Sequence, residues 1–343
     1  MSNFQIISIP SVLESAPSNL DRVSDSIHKG LKVKIDDKFY IVGDLALYEG
    51  VQPHKEINSA PNDLDYSILM SSALLVSHYA LGNPLTVTTG FPYATYNFNK
   101  NAAMEKLVKD HIIEFDSSIF SAGGVKKLVV EVKKGAILPE VSASAYAIRK
   151  LYNQNKDFMM VSLGYGTFET IFSAAEGNFG LQRSASSSQG VFYAIQELKR
   201  ELVNLYPSIM SSDVFLDEAL QNGYFFHNRK KVDISSLRRK VLNNYYDNVV
   251  SPSIKRSFTD REYAKTSGLY LSGGGALYPE LIERFKEEFR DITEVVIPEE
   301  PQYLAAKGYC LNSAKLEGGN FSQAVGIDLG NSSTIICMLK STE

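Results

Sequence analysis

Short runs of alternating apolar and polar residues, typical of β-strands, recur along the chain between segments with helical spacing. Strands are predicted at residues 3–10, 84–92 and 125–138, where β-branched residues are frequent. In three further segments two apolar runs flank a short polar turn, which predicts a β-hairpin. These hairpins are residues 31–46, with the turn at Asp36 and Asp37, residues 158–174 and residues 324–340.

Apolar residues repeat every three or four positions in the other segments, which predicts helices that bury one face. The predicted helices are residues 63–81, 101–113, 139–152, 189–206, 234–250, the segment after Gly275, and 301–315. Asp63 or Asp65 is expected to cap the first helix. Pro139 is expected at the first position of the third helix, and Pro252 is expected to end the fifth. Strands and helices alternate in blocks, which predicts an α/β fold with mixed sheets.

Length, composition and charge argue against several classes of function, among them direct nucleic-acid binding and membrane spanning. A length of 343 residues, 44% of them hydrophobic, is enough for two domains with sizeable cores. The net charge is −4 and no basic run stands out, so direct nucleic-acid binding is not expected. No apolar run reaches the ~18 residues of a membrane span, and the N-terminus lacks signal-peptide features, so a cytoplasmic location is predicted.

The few residues suited to metal or thiol chemistry show no pattern for it. Cys310 and Cys337 lie in apolar segments and are predicted to be buried free thiols. The five histidines are scattered, and no pair has the spacing of metal ligands. Histidine–cysteine metal chemistry is therefore not expected.

Three glycine-bearing turns carry the chemical signal of this sequence. They are DLGNSST at residues 328–334, SLGYGTFE at 162–169 and SGGGAL at 272–277. The backbone N–H groups of such turns can approach an anion closely, and hydroxyl side chains add donors. Asp328 cannot face a phosphate directly, but it can hold a hydrated Mg²⁺ that does. Each turn alone is weak evidence, because none has the spacing of a P-loop or of a dinucleotide fingerprint.

The combination of the three turns resembles the ATPase superfamily of actin, sugar kinases and heat-shock chaperones. GIDLGNSST is similar to its phosphate-1 motif, VSLGYGTFETI to its phosphate-2 motif and GLYLSGGGAL to its adenosine motif. Within the superfamily, KFYIVGDLA, LTVTTGFPYATY, ILPEVSASAYA and PQYLAAKGYC are similar to ParM-type bacterial actins. The resemblance covers nearly the whole chain in pieces.

The order of the motifs differs from that of the family, in which phosphate 1 comes first. Here it comes last, so the resemblance implies an actin-like fold that is circularly permuted, with the phosphate-1 hairpin at the C-terminus. Joining residues 340–343 to residues 1–4 would restore an ordinary hairpin loop, and the stretch 316–323 would be the new join. The strand at 335–339 is then expected to pair antiparallel with the strand at 4–9, because an unpaired apolar strand would leave an open edge.

The resemblance also implies two lobes with mixed sheets around a nucleotide cleft. Residues 1–150 and 300–343 are expected to form lobe I, in which residues 31–84 make a small subdomain. Residues 151–299 are expected to form lobe II. The bound ligand would be ATP or GTP with Mg²⁺.

Each site residue takes its expected role from the resemblance. Asp328 would hold the water shell of Mg²⁺, and Glu140 would orient the attacking water. The expected nucleotide contacts are Gly330, Asn331, Ser332 and Ser333 in the first motif, Gly164, Gly166 and Thr167 in the second, Gly273, Gly274 and Gly275 in the third, and Lys199 and Glu201 beside the base. A structural alternative for Glu140 is an acidic residue that interacts favourably with a helix dipole.

One departure from the family bears on hydrolysis. The phosphate-2 motif normally starts with aspartate, and this chain has Ser162, with Glu169 as the second acid. Because carboxylates near the metal support phosphoryl transfer, ATPase or GTPase activity is expected to be slow or absent, while nucleotide binding is retained.

Three functions are compatible with these features. The first is a cytoskeletal protein that polymerises with nucleotide, for plasmid DNA segregation or a related task, with itself as partner and an adaptor protein for cargo. The second is a small-molecule kinase of the same superfamily, for which no substrate-activating aspartate is evident. The third is an ATP-binding regulator that does not polymerise. A pelleting or light-scattering assay with ATP separates the first from the others.

Overall fold

The computed structural model describes residues 4–17, 20, 24–55, 60–175, 184–206 and 212–339. The chain divides into two compact units, Met1–Tyr152 with Tyr303–Glu343, and Asn153–Gln302. The predicted strand residue Asn3, the hairpin residue Lys340 and the expected loop between residues 340–343 and 1–3 lie outside the described part. No helix in the described ranges is long and apolar enough to cross a membrane.

The strands follow the chain in this order: β1 (Phe4–Pro10), β2 (Leu13–Ser15), β3 (Leu31–Ile35), β4 (Lys38–Val42), β5 (Leu85–Phe91), β6 (Asp110–Asp116), β7 (Val125–Pro139), β8 (Phe158–Leu163), β9 (Phe168–Ser173), β10 (Ser184–Ser187), β11 (Tyr224–His227), β12 (Lys230–Asp233), β13 (Leu269–Ser272), β14 (Val295–Val296), β15 (Ala324–Leu329) and β16 (Ser333–Leu339).

The helices are α1 (Asp44–Glu49), α2 (Leu64–Leu81), α3 (Tyr93–Leu107), α4 (Glu140–Leu151), α5 (Phe192–Leu205), α6 (Asp213–Asn222), α7 (Ser235–Tyr245), α8 (Ser251–Ser257), α9 (Asp260–Tyr263), α10 (Pro279–Glu288) and α11 (Leu304–Leu316). Asp63 is the N-cap residue of α2, as predicted, although its side chain accepts no hydrogen bond from the helix.

The first unit is built on a nine-stranded sheet with the order β1-β16-β15-β5-β7-β6-β3-β4-β2. Strands β15, β5 and β7 run parallel, so their carboxyl ends meet at one edge of the sheet, where ligands bind in open α/β sheets. The other neighbouring pairs are antiparallel. Strand β7 is long enough to join both parts, because residues 132–139 pair with β5 and residues 125–131 pair with β6.

The predicted pairing of the first and last strands is confirmed. Strands β1 and β16 are antiparallel over seven pairs, from Phe4 opposite Leu339 to Pro10 opposite Ser333. On one face of the sheet, residues such as Val87, Ile327 and Ile336 join the core with apolar residues of α2. The opposite face of β16 packs on α11 through Cys310 and Cys337, which are both buried and not joined in a disulfide, as predicted.

The second unit contains a five-stranded sheet with the order β10-β9-β8-β13-β14 and a separate β11–β12 hairpin. Strands β8, β13 and β14 are parallel, whereas β8, β9 and β10 are antiparallel. Alternate residues of β8, including Val161 and Leu163, share a core with the apolar faces of α5, α7 and α10. This unit, like the first, therefore combines a mixed sheet with helices.

One helix prediction is wrong in its second half, and another is wrong about where the helix ends. The helix predicted at 101–113 is instead α3, which ends at Leu107, followed by strand β6. In β6 the buried Ile113 and Phe115 alternate with exposed Ile112, a period of two that the apolar count concealed. Pro252 does not end the predicted helix, because a π-helical segment, Tyr246–Val250, leads into α8 and leaves Pro252 in its first turn.

Two boundaries also shift. Pro139 is the N-cap of α4 rather than its first residue, so Glu140 begins the helix. The hairpin predicted at 31–46 ends at Val42, because Gly43 has a φ of 66° and turns the chain into α1. The turn of this hairpin is confirmed, since Asp36 and Asp37 both have positive φ.

Candidate functional site

The first of the predicted turns, residues 330–332, joins β15 to β16 at the carboxyl edge of the parallel strands; we call it the Gly330 turn. Asp328 precedes the turn and is half-buried opposite Ile335. Burial raises the pKa of Asp328 to about 7. None of the described residues forms a hydrogen bond or ion pair with its carboxylate. A desolvated carboxylate of this kind gains most from a cation.

Ser11 anchors the Gly330 turn from the end of β1. Its hydroxyl donates to the carbonyl of Gly330 at 2.6 Å and lies 3.0 Å from the hydroxyl of Thr334. Its backbone N–H donates to the carbonyl of Ser332 at 3.0 Å. Ser11 and Thr334 are buried. Ser11 could not be predicted from the sequence, because nothing in the local sequence marks a serine 319 residues away from its partner.

Glu140 belongs to the same edge of the first unit. Gly326 pairs with Thr88, so Asp328 lies level with Gly90, and Gly90 pairs with Leu138. Asp328 and the start of α4 are therefore separated by the width of β5, two strand spacings or about 10 Å. The carboxylate of Glu140 also lies in the first turn of α4, where the helix dipole favours it.

Close backbone packing behind this edge depends on two glycines that the sequence analysis also missed. A Cβ on Gly326 in β15 would lie 2.2 Å from the carbonyl oxygen of Ala306 in α11. A Cβ on Gly308 in α11 would lie 2.0 Å from the carbonyl oxygen of Ala143 in α4. These glycines bring β15, α11 and α4 into direct backbone contact, which fixes where Asp328 and Glu140 stand.

In the second unit, the predicted turn at residues 164–167 joins β8 to β9; we call it the Gly164 turn. The N–H of Gly164 donates to the carbonyl of Thr167, which closes the turn. Three successive N–H groups before and at the start of α5 hold it from behind: Gly190 donates to Gly166, Val191 to Gly164 and Phe192 to Tyr165, at 2.8 to 3.2 Å. Gly164, Gly166 and Thr167 thus form one rigid backbone loop.

Gly190 permits this arrangement, although its role could not be predicted from the sequence. A Cβ at this position would lie 2.4 Å from the carbonyl oxygen of Tyr165 and 2.6 Å from that of Gly164. The only sequence signal was a glycine at the expected start of a helix, which also suits an ordinary turn.

The triple-glycine loop, residues 273–275, packs against the end of β8 in the same unit. Gly273 has a φ of +81°, and a Cβ there would lie 2.5 Å from the carbonyl oxygen of Leu163. Gly275 is equally close to the Leu163 side chain, whereas a Cβ on Gly274 would meet nothing within 4 Å. The structure therefore brings this loop and the Gly164 turn together around Leu163 and leaves open space beside Gly274.

Ser162 and Glu169 face each other beside the Gly164 turn. They are directly paired in the β8–β9 ladder, and both are buried, with 2% and 1% of their surface exposed. Ser272 of β13 is paired with Ser162 on the other side. The position that the resemblance assigns to an aspartate thus lies opposite a glutamate, with Cβ atoms about 5 Å apart.

Lys199 and Glu201 lie away from the two loops of their unit. They are seven and nine residues along α5 from Phe192, or about 10 and 14 Å along the helix axis. Lys199 Nζ lies 3.8 Å from Asp213 Oδ1, and Glu201 accepts a hydrogen bond from Lys240 at 2.6 Å. The structure supports surface ion pairs for both residues, and their contact with a base stays a prediction.

The donor set fits Mg²⁺ held largely through water. No cluster of three or more His, Cys, Asp or Glu side chains occurs in the described ranges, so these residues provide no closed metal cage. Mg²⁺ is usually bound by one or two carboxylates, several waters and substrate phosphates. The single desolvated carboxylate of Asp328 next to the Gly330 turn suits that mode of binding.

Comparisons with known proteins confirm the predicted actin-like fold and the resemblance to ParM-type actins, while the circular permutation stays a prediction. Residues 1–141 match the family model for the N-terminal domain of actin-like proteins. A search of curated proteins finds no match.

Among solved structures, the archaeal actin homologue Ta0583 has a TM-score of 0.70 at 17% identity, covering 90% of this chain and 92% of that one. It has also been solved in complex with ADP, with a TM-score of 0.68. A pCBH ParM mutant described as non-polymerisable gives a TM-score of 0.70 at 16% identity, with 90% and 92% of the chains covered. A 15-stranded ParM filament from Clostridium botulinum gives 0.67 at 15% identity, with 92% and 100% covered. The chain therefore has an actin-like fold.

Proposed function

We propose that this chain binds ATP or GTP together with Mg²⁺ and polymerises with other copies of itself into cytoskeletal filaments. The observation that carries the proposal is the construction of the glycine loops, whose backbones are fixed by neighbouring strands and helices within an actin-like fold. Support for nucleotide binding also comes from the ADP complex of Ta0583, and support for self-association from the ParM filament.

In this proposal each of the three glycine turns contributes to nucleotide binding. Gly330, Asn331, Ser332 and Ser333 contact the β- and γ-phosphates, and Asp328 holds the water shell of Mg²⁺. Gly164, Gly166 and Thr167 contact the phosphates from the second unit. Gly273, Gly274 and Gly275 contact the ribose and the α-phosphate, and Lys199 and Glu201 border the base. Mg²⁺ would neutralise charge on the phosphates.

The deciding experiment is sedimentation and light scattering of the purified chain with Mg²⁺ and ATP, GTP, ADP or no nucleotide. Pelleted polymer that depends on a triphosphate supports the proposal. Nucleotide binding without polymer would favour an ATP-binding regulator or a small-molecule kinase. Absence of binding to either triphosphate would exclude all three functions.

We also propose that hydrolysis is slow and depends on Glu140. The Glu140 carboxylate orients the attacking water, a contribution worth about 10² to 10⁴-fold in rate for a positioned acid–base group. Ser162 offers no charge to the metal. Phosphate release should therefore be slow in the unmodified chain and fall at least about 100-fold further in Glu140→Gln, with unchanged nucleotide affinity. Equal rates in both proteins would remove Glu140 from the mechanism.

Finer features belong to the same proposal. We propose a cytoplasmic role in plasmid DNA segregation or a related cytomotive task, with an adaptor protein rather than the filament itself contacting DNA. We also propose that the chain is circularly permuted relative to the family, with the first unit as lobe I and the second as lobe II. Moving residues 324–343 in front of residue 1 should then give a protein with the same nucleotide affinity and stability.

A further inference from the structure

We infer that Ser11 is a positioning residue that aims the backbone N–H groups of the Gly330 turn at the bound phosphates. This inference deepens the proposed function and rests on it. Three observations carry it: two hydrogen bonds from Ser11 to carbonyls of the turn, the burial of Ser11 and Thr334, and the end of the strand ladder at this point.

The direction of each hydrogen bond follows from the donors available. A hydroxyl has one proton, and the carbonyl of Gly330 can only accept, so the Ser11 proton is committed to Gly330 at 2.6 Å. In the 3.0 Å contact between the two hydroxyls, Thr334 must therefore be the donor. The result is a one-way chain from Thr334 to Ser11 to Gly330, in a buried setting where each bond is costly to lose.

The local strand geometry explains why Ser11 can reach two carbonyls. The β1–β16 ladder ends with Pro10 opposite Ser333, and proline has no N–H to continue it. The next N–H, that of Ser11, donates to Ser332 at 3.0 Å, while the side chain of the same residue reaches Gly330. Ser11 alone thus fixes two of the three carbonyl groups of residues 330–332.

Peptide planarity converts these carbonyl positions into N–H directions. In a trans peptide the C=O of one residue and the N–H of the next point in opposite directions. Because the carbonyls of Gly330 and Ser332 point towards Ser11, the N–H groups of Asn331 and Ser333 point away from it. Both N–H groups thus face one side of the turn, an arrangement that binds an anion.

The test compares Ser11→Ala with Ser313→Ala in the full chain. Ser313 is a matched control, because it is also buried and its hydroxyl also donates to a carbonyl of the β15 strand, that of Val325 at 2.7 Å. We expect the Kd for Mg·ATP or Mg·GTP, measured by calorimetry, to rise about tenfold in Ser11→Ala and less than about twofold in Ser313→Ala. Both variants should lose a similar amount of stability to urea.

A second variant and a second readout keep the inference testable if Ser11→Ala folds poorly. Thr334→Val keeps the side-chain volume and removes only the donor to Ser11, so the Kd should rise about threefold. Hydrogen exchange of residues 328–336 at saturating nucleotide should show strong protection in the unmodified chain and weaker protection in both Ser11→Ala and Thr334→Val.

The outcomes separate the inference from the proposed function. If the unmodified chain binds neither triphosphate, the proposed function fails and the inference fails with it. If the unmodified chain binds and Ser11→Ala binds equally well, only the inference is overturned. Equal losses of affinity in Ser11→Ala and Ser313→Ala would also overturn it, because general destabilisation would then explain both.

Discussion

The Gly330 turn and the Gly164 turn are held by different means. Behind the Gly330 turn stands a side chain: the Ser11 hydroxyl and N–H bind two of its carbonyls. The Gly164 turn is held by backbone: the N–H groups of residues 190–192 donate to its carbonyls, and Gly190 has no Cβ to keep them apart. The first arrangement needs a specific donor, whereas the second needs the absence of a side chain.

The two turns also differ in charge. The edge that contains the Gly330 turn has two acids, Asp328 and Glu140, of which Asp328 has a raised pKa because of burial. Beside the Gly164 turn, Ser162 is neutral and the nearest paired acid, Glu169, is buried in the ladder. The acid–base and metal roles proposed above therefore fall to residues of the first unit, while the role proposed for the Gly164 turn rests on its backbone.

Gly190→Ala should break the Gly164 turn and have the largest effect. The new Cβ would overlap three backbone atoms at 2.4 to 2.6 Å, and backbone cannot move aside as a side chain can. We expect a loss of about 3–5 kcal/mol in the free energy of unfolding, measured by urea denaturation. Gly274→Ala is the control, because its Cβ would meet nothing within 4 Å and stability should hardly change. Similar losses in both variants would contradict the packing explanation.

Ser162→Asp should sharpen the difference in charge between the turns. The new carboxylate would stand directly opposite buried Glu169, so we expect the free energy of unfolding to fall by about 2–3 kcal/mol at pH 8. The loss should be smaller at pH 5, because one of the two acids can then take up a proton. Mg²⁺ with nucleotide should restore part of the stability and speed phosphate release.

Ser162→Asn, which has the same shape without the charge, is the control for this substitution. If both variants lost the same free energy of unfolding at every pH, the larger side chain rather than its charge would be the cause. Unchanged phosphate release in Ser162→Asp would argue against serine as the cause of slow hydrolysis.

Asp328→Asn tests the charge at the Gly330 turn. Because the folded pKa of about 7 lies above the ordinary value of 3.8, the folded state favours the protonated acid. The stability that this preference contributes is present below pH 4 and is lost as the pH rises to 7. The asparagine variant should thus be more stable than the unmodified chain by about 2 kcal/mol at pH 8, about half of what the full pKa difference would give because Asp328 is half-exposed to water, with no difference near pH 4. Without added metal, a stability difference that is constant from pH 4 to 8 would contradict this assignment.

The glycine motifs of these turns are predictable from the sequence, but the residues that hold the turns in place are not. The glycine motifs at Gly330, Gly164 and Gly273 could be recognised because their residues are contiguous. The partners that hold them, Ser11 and Gly190, could not, since one lies 319 residues from its carbonyl and the other resembles an ordinary helix start. Motifs show which backbone is presented, whereas long-range packing decides how it is held.

The same limit applied to the fold. Strands rich in β-branched residues, such as β5 and β7, are predicted closely. The sequence of β6 suggests a helix because His111, Ile112 and Ile113 form a run without a clear alternation of apolar and polar residues. The strand forms because it pairs with both β3 and β7. The continuation past Pro252 depended on the π-helical segment, which no local propensity predicts.

Tyr245→Phe should give the smallest effect on stability. It is the strictest test of the claim that backbone rather than a side chain holds the Gly164 turn. The buried phenol of Tyr245 donates to the carbonyl of Gln189 at 3.1 Å, directly before Gly190. Gln189 is exposed, so water can replace the phenol at its carbonyl, and we expect a loss of about 1 kcal/mol or less with unchanged nucleotide affinity. Urea denaturation and calorimetry measure both quantities. A loss as large as that of Gly190→Ala would mean that a side chain holds the Gly164 turn after all, and the contrast with Ser11 and the Gly330 turn would disappear.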